Sequence, residues 1–297
     1  MAQDGAWTVR RILEWTTAFF THKAVDSPRL SAELLLSHVL SVPRLRLFMD
    51  YDRPLDEREL STYRDLVKRA AEHEPIAYLT GRAWFFSLEF EVTRDVLIPR
   101  PETETLVENV LQTARIQAGL EAPRVLDLCT GSGCIACAVA HNLKNATVVA
   151  TDISPAAVDV ARRNVERLKL ADRVTVEQGD LIEPVSRLVD VRPFDLIVAN
   201  PPYIPTGQVP TLDRNVREYE PVEALDGGLD GLAIHRRILA GAAERLLPGG
   251  RIYLEIAYDQ GELARGVAGG YEAFEEVKIL KDYGGRDRVL AARRKSG

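Results

Sequence analysis

The tetrapeptide Asn200-Pro201-Pro202-Tyr203, which directly follows an apolar stretch, has the residue types needed to hold an amino group. Two prolines end a buried strand and make the loop after it stiff and extended. The Asn200 carboxamide oxygen and the Pro201 carbonyl are then two acceptors directed into one pocket, and Tyr203 adds a flat aromatic face. This arrangement suits a planar –NH2 group, whose two hydrogens point at two acceptors. The alternative interpretation is a rigid connector without a chemical role.

A glycine-rich segment, Asp127-Leu-Cys129-Thr130-Gly131-Ser132-Gly133, stands where a predicted strand turns into a predicted helix. Glycine is needed there because a side chain would keep the backbone away from a bound cofactor. In open α/β sheets, the crevice at the carboxyl ends of the strands is the usual ligand site. The segment continues to Ala136 and so also fits the G-x-G-x-x-[G/A] pattern of nicotinamide and flavin enzymes. The loop alone therefore predicts a cofactor without deciding which one.

Two aspartates end the next two predicted strands. Asp152 can accept hydrogen bonds from both hydroxyls of an adenosine ribose, in either class of cofactor. Its other possible role, as a helix N-cap, is weakened because Ser154 and Pro155 already supply the cap and the first-turn proline. Asp180 and Leu181 offer a carboxylate to an adenine amino group and an apolar side chain to its ring, or else form a strand-to-helix turn.

The cysteines and histidines do not indicate a metal site. Cys129, Cys134 and Cys137 have a C-x4-C-x2-C spacing that matches part of an iron–sulfur pattern, but the chain has no fourth cysteine. We interpret them as small hydrophobic residues in a reducing compartment, with Cys134 and Cys137 on a buried helical face. Three histidines in the first part of the chain have unrelated spacings and are read as surface or packing residues: His22, His38 and His73.

The first 80 or so residues are predicted to form a small helical bundle. Ser27 is expected to cap a helix that begins at Pro28, and the chain then places apolar residues along one face: Leu30, Leu34, Leu35 and Val39. A second helix is predicted from about Asp56 to His73, with its own apolar stripe: Leu60, Tyr63, Val67 and Ala70. Nothing in this region resembles a catalytic constellation.

Between Gly81 and Pro99 the hydrophobic period changes to two, which predicts a short hairpin. Its alternating apolar residues are Trp84, Phe86, Leu88, Phe90 and Val92. From Arg124 onward, strands alternate with helices, as in a parallel doubly wound sheet. The predicted strands span 124–128, 147–152, 174–180, 194–200, 250–257, 275–282 and 288–293. A Gly-Gly turn between the last two is too short for a parallel crossover, so this pair is expected to be antiparallel.

Composition limits the class of protein. The chain has 297 residues with 38 basic and 44 acidic side chains, a net charge of −6, which argues against a general nucleic-acid binder. The length fits one large domain or two ordinary ones. The first residues lack the apolar region and cleavage site of a signal peptide, and no run of about 18 apolar residues predicts a membrane span. We therefore expect a soluble, cytoplasmic protein.

Several ordered motifs together resemble those of the bacterial release-factor glutamine methyltransferases. The Asn-Pro-Pro-Tyr loop resembles that of methyltransferases acting on glutamine amides or on base amino groups, and the other motifs single out the release-factor enzymes. They are Pro75–Gly81, Val96–Glu104, Tyr219-Glu-Pro221 with Ala224-Leu225, and Gly228-Leu-Asp-Gly231-Leu. The resemblance extends from the Ala32-Glu-Leu-Leu-Leu helix to Leu254-Glu-Ile. One departure is Cys129, where glycine is common in such enzymes.

The resemblance implies a class I methyltransferase fold, an α/β doubly wound sheet with an antiparallel final hairpin and a small helical N-terminal domain. It divides the chain into a helical substrate-recognition domain (1–80), a hairpin linker (81–99) and a catalytic domain (100–297). The implied reaction is S-adenosyl-L-methionine-dependent methylation of the glutamine N5 in the Gly-Gly-Gln loop of peptide-chain release factors. Asn200, Pro201, Pro202 and Tyr203 would act on the glutamine. The cofactor would contact Asn200 and the residues Asp127, Cys129–Gly133, Asp152, Asp180 and Leu181.

The segment before the sheet allows two interpretations. Arg100, Glu102 and Glu104 open a predicted helix, where acidic residues ordinarily favour the helix dipole. The family resemblance implies instead that this segment helps to close the pocket over cofactor and glutamine, with Arg100 and Glu104 at the substrate. Phe86 is expected either to line the glutamine channel or to pack in the core.

Three other functions remain open from the sequence. A DNA or RNA base-amino methyltransferase would bind a flipped base with a similar –NH2 group, and predicts a basic face. Candidates for that face are Arg162, Arg163, Arg167, Lys169 and the terminal 293–295 segment. A nicotinamide-dependent oxidoreductase would use the same glycine loop but leaves the Asn-Pro-Pro-Tyr loop unexplained. A non-catalytic binding protein is disfavoured by the intact pair of acceptors.

Overall fold

The computed structural model describes residues 6–188 and 192–296, which form two compact units. The smaller unit contains the chain through Arg82 together with Asp213–Tyr219, and the larger contains Ala83–Leu212 and the chain from Glu220 onward. No helix in the described part is both long and apolar enough to cross a bilayer.

The smaller unit is a helical bundle around one apolar core. Its first five helices are Val9–His22 (α1), Pro28–Leu40 (α2), Arg44–Met49 (α3), Glu57–Ala71 (α4) and Ile76–Thr80 (α5). α4 begins with a capping box, in which Asp56 and Glu59 each accept the backbone N–H of the other. The prediction for this helix is confirmed, since Tyr63, Val67 and Ala70 are buried.

Two details predicted for α2 are wrong. Ser27 has a φ of +44° and its side chain makes no capping hydrogen bond, although Pro28 does begin the helix. The buried face contains Ala32, Leu35 and Leu36, whereas Leu30 is 39% exposed. α2 packs against both α1 and α4, so two neighbouring helices determine which residues are buried, and the apolar spacing of one helix does not reveal both neighbours.

The predicted hairpin is present as Arg82–Phe85 (β1) and Leu88–Glu91 (β2). Its predicted face is wrong on the first strand, where Phe85 is buried and Trp84 is 64% exposed. Phe86 and Ser87 form the turn with φ values of +50° and +63°. These two turn residues break the alternation, because side chains alternate only within a strand and a shift by one residue exchanges the faces.

The larger unit contains a seven-stranded sheet. Its strands are Arg124–Leu128 (β3), Thr147–Asp152 (β4), Val174–Gln178 (β5), Phe194–Ala199 (β6), Leu246–Glu255 (β7), Phe274–Lys281 (β8) and Asp287–Arg294 (β9). The helices after α5 are Glu104–Ile116 (α6), Cys134–Asn142 (α7), Pro155–Arg167 (α8), Arg214–Arg217 (α9, in the smaller unit), Ala233–Arg245 (α10) and Gly261–Gly269 (α11).

The strand order is β5-β4-β3-β6-β7-β9-β8. The first five strands in this order pair in parallel, and β9 is antiparallel to both β7 and β8. The doubly wound sheet and its antiparallel final pair are therefore confirmed. β3 and β6 lie side by side, with Leu128 opposite Ala199. Because parallel strands end at the same edge, the glycine loop after β3 and the Asn200 loop after β6 begin next to each other.

Candidate active site

A cavity of about 750 Å³ lies at the carboxyl ends of the central strands, within the larger unit. Its volume is in the range of small-molecule and cofactor sites. Most of the residues predicted for the site line this cavity: Arg100, Cys129, Thr130, Gly131, Ser132, Asp152, Asp180, Leu181, Asn200 and Pro202. The remaining predicted residues are not part of its lining: Phe86, Glu104, Asp127, Gly133, Pro201 and Tyr203.

The glycine loop contains three left-handed residues, of which two are glycines. Gly131 and Gly133 have φ values of +54° and +78°. A Cβ on Gly131 would meet no atom within 4 Å, so the space over this residue is open to a ligand. A Cβ on Gly133 would come within 3.2 Å of the Ala161 Cβ, so this glycine allows α7 to approach α8 closely. Gly131 therefore keeps space open beside the cavity, and Gly133 allows two helices to pack closely.

Asp127 lies beneath the loop and is fully buried. Its Oδ2 accepts hydrogen bonds from the Thr130 hydroxyl (2.6 Å) and the Ala136 N–H (3.1 Å). Burial raises the pKa of Asp127 to about 7, although these two hydrogen bonds lower it. The carboxyl group thus joins the start of the loop to the first turn of α7, and the structure places it behind the cavity wall.

Cys129 occupies a position that favours glycine, with a φ of +57°. Cys129 lines the cavity, and burial of its thiol together with the neighbouring Asp152 raises its pKa well above the ordinary value. The thiol is therefore protonated near neutral pH. Cys134 and Cys137 are buried on α7, as predicted, and burial raises the pKa of Cys134 to about 12.

We expect the left-handed backbone of Cys129 to tolerate glycine better than a branched side chain. Cys129→Val should be less stable than Cys129→Gly by roughly 2 kcal/mol, because the left-handed region penalises branched side chains and accepts glycine. Urea unfolding of the two variants measures this difference. Equal unfolding free energies would show that the left-handed conformation of this residue carries no strain.

Asp152 ends β4 and binds backbone on both sides. Its Oδ2 accepts the Gly131 N–H at 2.8 Å and its Oδ1 accepts the Ser154 N–H at 3.0 Å. The Ser154 hydroxyl caps α8 and Pro155 begins it, as predicted. Burial raises the pKa of Asp152, and the backbone hydrogen bonds oppose that shift. The carboxylate therefore fixes the glycine loop relative to β4, and Asp152 also lines the cavity.

Asp180 and Leu181 follow β5 at the same edge. The Asp180 Oδ2 pairs with the Arg237 guanidinium of α10 at 2.6 Å. Leu181 is held by its carbonyl, which accepts the Thr151 hydroxyl at 2.9 Å. The ion pair between Asp180 and Arg237 was not expected from the sequence, because the two residues are 57 positions apart.

The Asn200 side chain is oriented by Thr103, which is buried at the start of α6. The Asn200 Nδ2 donates to the Thr103 Oγ1 at 3.3 Å. Tyr203 turns its side chain away from the cavity lining, and its hydroxyl donates to the Glu255 Oε1 at 3.3 Å. Burial raises the pKa of Tyr203. Asn200 thus faces the cavity, while Tyr203 anchors the far end of the loop inside the protein.

Two glycines and a glutamine support the Asn200–Tyr203 loop from behind. A Cβ on Gly231 would be 2.2 Å from the Tyr203 carbonyl oxygen, and one on Gly227 would be 2.7 Å from the Pro202 oxygen. The Gln260 Nε2 donates to the same Tyr203 oxygen at 2.8 Å. The Gly228–Leu232 motif signalled this contact in part, but nothing in the sequence singled out Gly227 or Gln260.

Arg100 pairs with Glu220 to join two walls of the cavity. The guanidinium binds the Glu220 Oε1 at 2.6 Å, and the Ile98 N–H donates to Oε2 at 3.4 Å. The Glu220 side chain is 1% exposed. Burial raises the pKa of Glu220, and Arg100 opposes that shift. This contact unites the Val96–Glu104 and Tyr219–Pro221 motifs, whose joint presence in the sequence had no structural explanation.

Loss of this ion pair should destabilise the protein. Arg100→Ala leaves the Glu220 carboxyl buried without its charge partner, and we expect a decrease of about 2–3 kcal/mol in unfolding free energy. Arg163→Ala is the matched control, because Arg163 pairs with Glu91 at the surface and should cost no more than about 1 kcal/mol. Chemical denaturation of both variants tests this, and equal losses would contradict it.

Glu104 and Phe86 contact each other outside the main cavity. The Glu104 Oε1 accepts the Phe86 N–H at 2.7 Å and so holds the turn of the hairpin against α6. Phe86 packs against the core and borders a separate, smaller cavity with Glu108 and Arg115. Of the two interpretations of Phe86, its placement agrees with core packing.

The sheet order, the glycine loop after the first sheet strand and the cavity at the strand ends define a class I methyltransferase. Residues 102–214 match the Methyltransferase small domain family, and residues 11–81 match the PrmC N-terminal domain. The hMettl16 catalytic domain, solved with a MAT2A 3'UTR hairpin, shares the fold with a TM-score of 0.54 and 18% identity over 71% of this chain and 77% of that one.

Two curated relatives cover nearly the whole chain. The release factor glutamine methyltransferase of Geobacter sulfurreducens is 44% identical over 97% of both chains. That of Rhodopirellula baltica is 41% identical over 98% of this chain and 97% of its own. The chain belongs to the release factor glutamine methyltransferase family.

Proposed function

We propose that this chain transfers a methyl group from S-adenosyl-L-methionine to the side-chain amide nitrogen of the glutamine in the Gly-Gly-Gln loop of peptide-chain release factors. The observation that carries the proposal is that Asn200 and the glycine loop line one cavity from two adjacent strands. Family membership supports the glutamine as the acceptor, since the relatives are named for that reaction.

The residues of the cavity fit the proposed cofactor. The open space over Gly131 lets a ligand approach the backbone. The acidic side chains Asp152 and Asp180 stand at the ends of β4 and β5, where they can accept hydrogen bonds from ribose hydroxyls and an adenine amino group. Leu181 adds an apolar surface for the ring. When bound, the cofactor supplies an electrophilic methyl group on a positively charged sulfur.

Asn200 lines the cavity, and Pro201 is its buried neighbour just outside the lining. In the proposed reaction the oxygens of these two residues overcome the weak nucleophilicity of an amide. The nitrogen lone pair of a carboxamide is delocalised into its carbonyl. Two acceptors that hold both N–H groups orient the nitrogen, and they also favour the partial positive charge that develops on it in the transition state. Fixed orientation of the reacting groups contributes several kcal/mol of barrier lowering. The chain's residues would hold the nitrogen against the methyl group that the cofactor supplies, and the methylated nitrogen would lose a proton to water.

The charged side chains of the larger unit disfavour a nucleic-acid substrate. Three arginines proposed for a basic face are engaged: Arg163 with Glu91, Arg167 with Glu89, and Arg162 with the Val176 carbonyl. At the end of the chain, Arg293 pairs with Glu275 and Glu276. Salt-bridged arginines offer little net charge to phosphates.

We also propose that the helical unit recognises the release factor. α3 exposes three neighbouring apolar side chains, Leu45 (73%), Phe48 (42%) and Met49 (70%), on one helical face, and a contiguous exposed apolar patch is typical of interaction sites. The double substitution Leu45→Glu, Met49→Glu should raise the KM for release factor about tenfold while the cofactor Kd stays within twofold. Steady-state kinetics and calorimetry test this, and an unchanged KM would contradict the proposed surface.

The decisive experiment is mass spectrometry of a release factor incubated with the chain and S-adenosyl-L-methionine. We expect one added methyl group on the glutamine of the Gly-Gly-Gln loop. A parallel incubation with nucleic acid and radiolabelled cofactor should leave the nucleic acid unlabelled. Label on nucleic acid alone would overturn the proposal.

A further inference from the structure

A buried carboxylate, Glu255, lies at the end of β7 behind the Asn200–Tyr203 loop. It is fully buried and does not line the cavity. Burying a charged group is costly unless the group is paired or serves a purpose. Burial raises the pKa of Glu255 to about 7, Thr103, Arg288 and Tyr203 lower it, and Glu102 raises it. A carboxyl group kept in such a place is a candidate for a functional role.

The contacts of Glu255 reach both ends of the loop. Its Oε1 accepts the Tyr203 hydroxyl at 3.3 Å, and its backbone carbonyl contacts the buried His235 Nε2 at 2.7 Å. Its other oxygen, Oε2, has no hydrogen-bond partner within the described residues. The Thr103 hydroxyl is one of the neighbouring groups that lower the pKa of this carboxyl. Glu255 therefore lies between Tyr203 at one end of the loop and Thr103, the partner of Asn200, at the other.

The single hydrogen of the Thr103 hydroxyl determines which way the Asn200 carboxamide turns. When that hydrogen points at Glu255, the Thr103 oxygen can only accept, and it accepts the Asn200 Nδ2. The Asn200 oxygen is then left for the cavity. Without an acceptor at position 255, the Thr103 hydrogen is free to bind the Asn200 oxygen, and the carboxamide can rotate to present its –NH2 group instead. The –NH2 group of Asn200 could then not accept a hydrogen bond from the –NH2 group of the substrate glutamine.

We propose that Glu255 is a positioning residue that keeps the carboxamide oxygen of Asn200 directed at the substrate amide, through Thr103, and holds Tyr203 at the other end of the same loop. This role deepens the proposed function and rests on it. Glu255 touches neither substrate nor cofactor. The proposed role requires a hydrogen-bond acceptor at position 255. An amide side chain should therefore largely preserve the function of the carboxylate, whereas an apolar side chain should not.

The test compares Glu255→Leu with Glu255→Gln and the wild-type chain on release factor. We expect Glu255→Leu to lower kcat about 30-fold, with the KM for release factor and the Kd for cofactor within twofold, and Glu255→Gln to stay within about fivefold of wild type. Kinetics are measured well below the melting transition of each variant, because Glu255→Leu leaves the buried Tyr203 hydroxyl without its acceptor and lowers the melting temperature. A purely structural role would lower cofactor affinity along with kcat, whereas a positioning role lowers kcat alone.

Thr103→Val supplies a second variant, which removes the hydroxyl with little change of shape. It should also lower kcat about tenfold without weakening cofactor binding. Wild-type kcat in Glu255→Leu or in Thr103→Val would overturn the positioning role, as would a loss of kcat accompanied by a matching loss of cofactor affinity. These outcomes leave the proposed function standing. A wild-type chain that leaves the release factor unmethylated would overturn the proposed function and this role with it.

Discussion

Asn200→Ala is expected to lower kcat for release-factor methylation by about 10²–10³-fold while the Kd for S-adenosyl-L-methionine changes less than threefold. The substitution removes one of the two proposed acceptors for the glutamine amide. It leaves intact the glycine loop and both aspartates at the neighbouring strand ends. Steady-state methylation kinetics measure kcat, and calorimetry measures cofactor binding.

The control for this variant is Asn145→Ala. Asn145 is exposed, and its Nδ2 only contacts the Glu121 carbonyl at 3.4 Å. The same chemical change there should leave turnover and binding at wild-type values. Near-normal turnover in Asn200→Ala would refute the role assigned to the carboxamide, whatever the control shows.

Asp152→Ala is expected to weaken cofactor binding by about 100-fold or more. The carboxylate accepts the N–H groups of Gly131 and Ser154, so its loss leaves the glycine loop without its link to β4. Each hydrogen bond to a charged group contributes about 1.5–3 kcal/mol, and about 1.4 kcal/mol corresponds to tenfold in affinity. The proposed bonds to ribose hydroxyls disappear as well. Calorimetric titration with S-adenosyl-L-methionine gives the change in Kd.

Asp159→Ala is the matched control, since Asp159 is an exposed residue of α8 a short distance along the same chain segment. Its substitution should leave the Kd unchanged. If Asp152→Ala binds the cofactor as tightly as the control does, the aspartate has no part in the cofactor site, and the loop is held by other contacts.

Local patterns were sufficient for the architecture of the larger unit. Neighbouring residues determine where β3, β4 and β6 begin and end and where α8 is capped. In the structure these limits lie at the predicted positions or within one residue of them. The short Gly-Gly turn forces the last two strands to be antiparallel, because a chain that reverses there cannot make a crossover. Asn200 and Asp152 were found for the same reason, since each stands at the carboxyl end of a recognisable strand.

Tertiary packing determined features of the structure that no single segment of the sequence could predict. The buried face of α2 depends on two other helices, and the exposed Trp84 depends on a turn that resets the alternation of the hairpin. The ion pairs of Asp180 with Arg237 and of Arg100 with Glu220 join residues far apart in the chain. Hydrogen bonds and ion pairs of this kind depend on distances in space, which residue type and spacing do not encode.

The amino-acid sequence thus determined which side chains stand at the ends of the strands, because strand periodicity and turn chemistry are local. Only the folded chain decided which of them share a cavity and which lie behind it, as Asp127 and Tyr203 do. It also placed the buried Glu255 next to Thr103 and Tyr203, from three separate parts of the sequence. The physical reason is that orientation of a side chain is set by its hydrogen-bond partners, and those partners are brought together only by the assembled sheet and its covering helices.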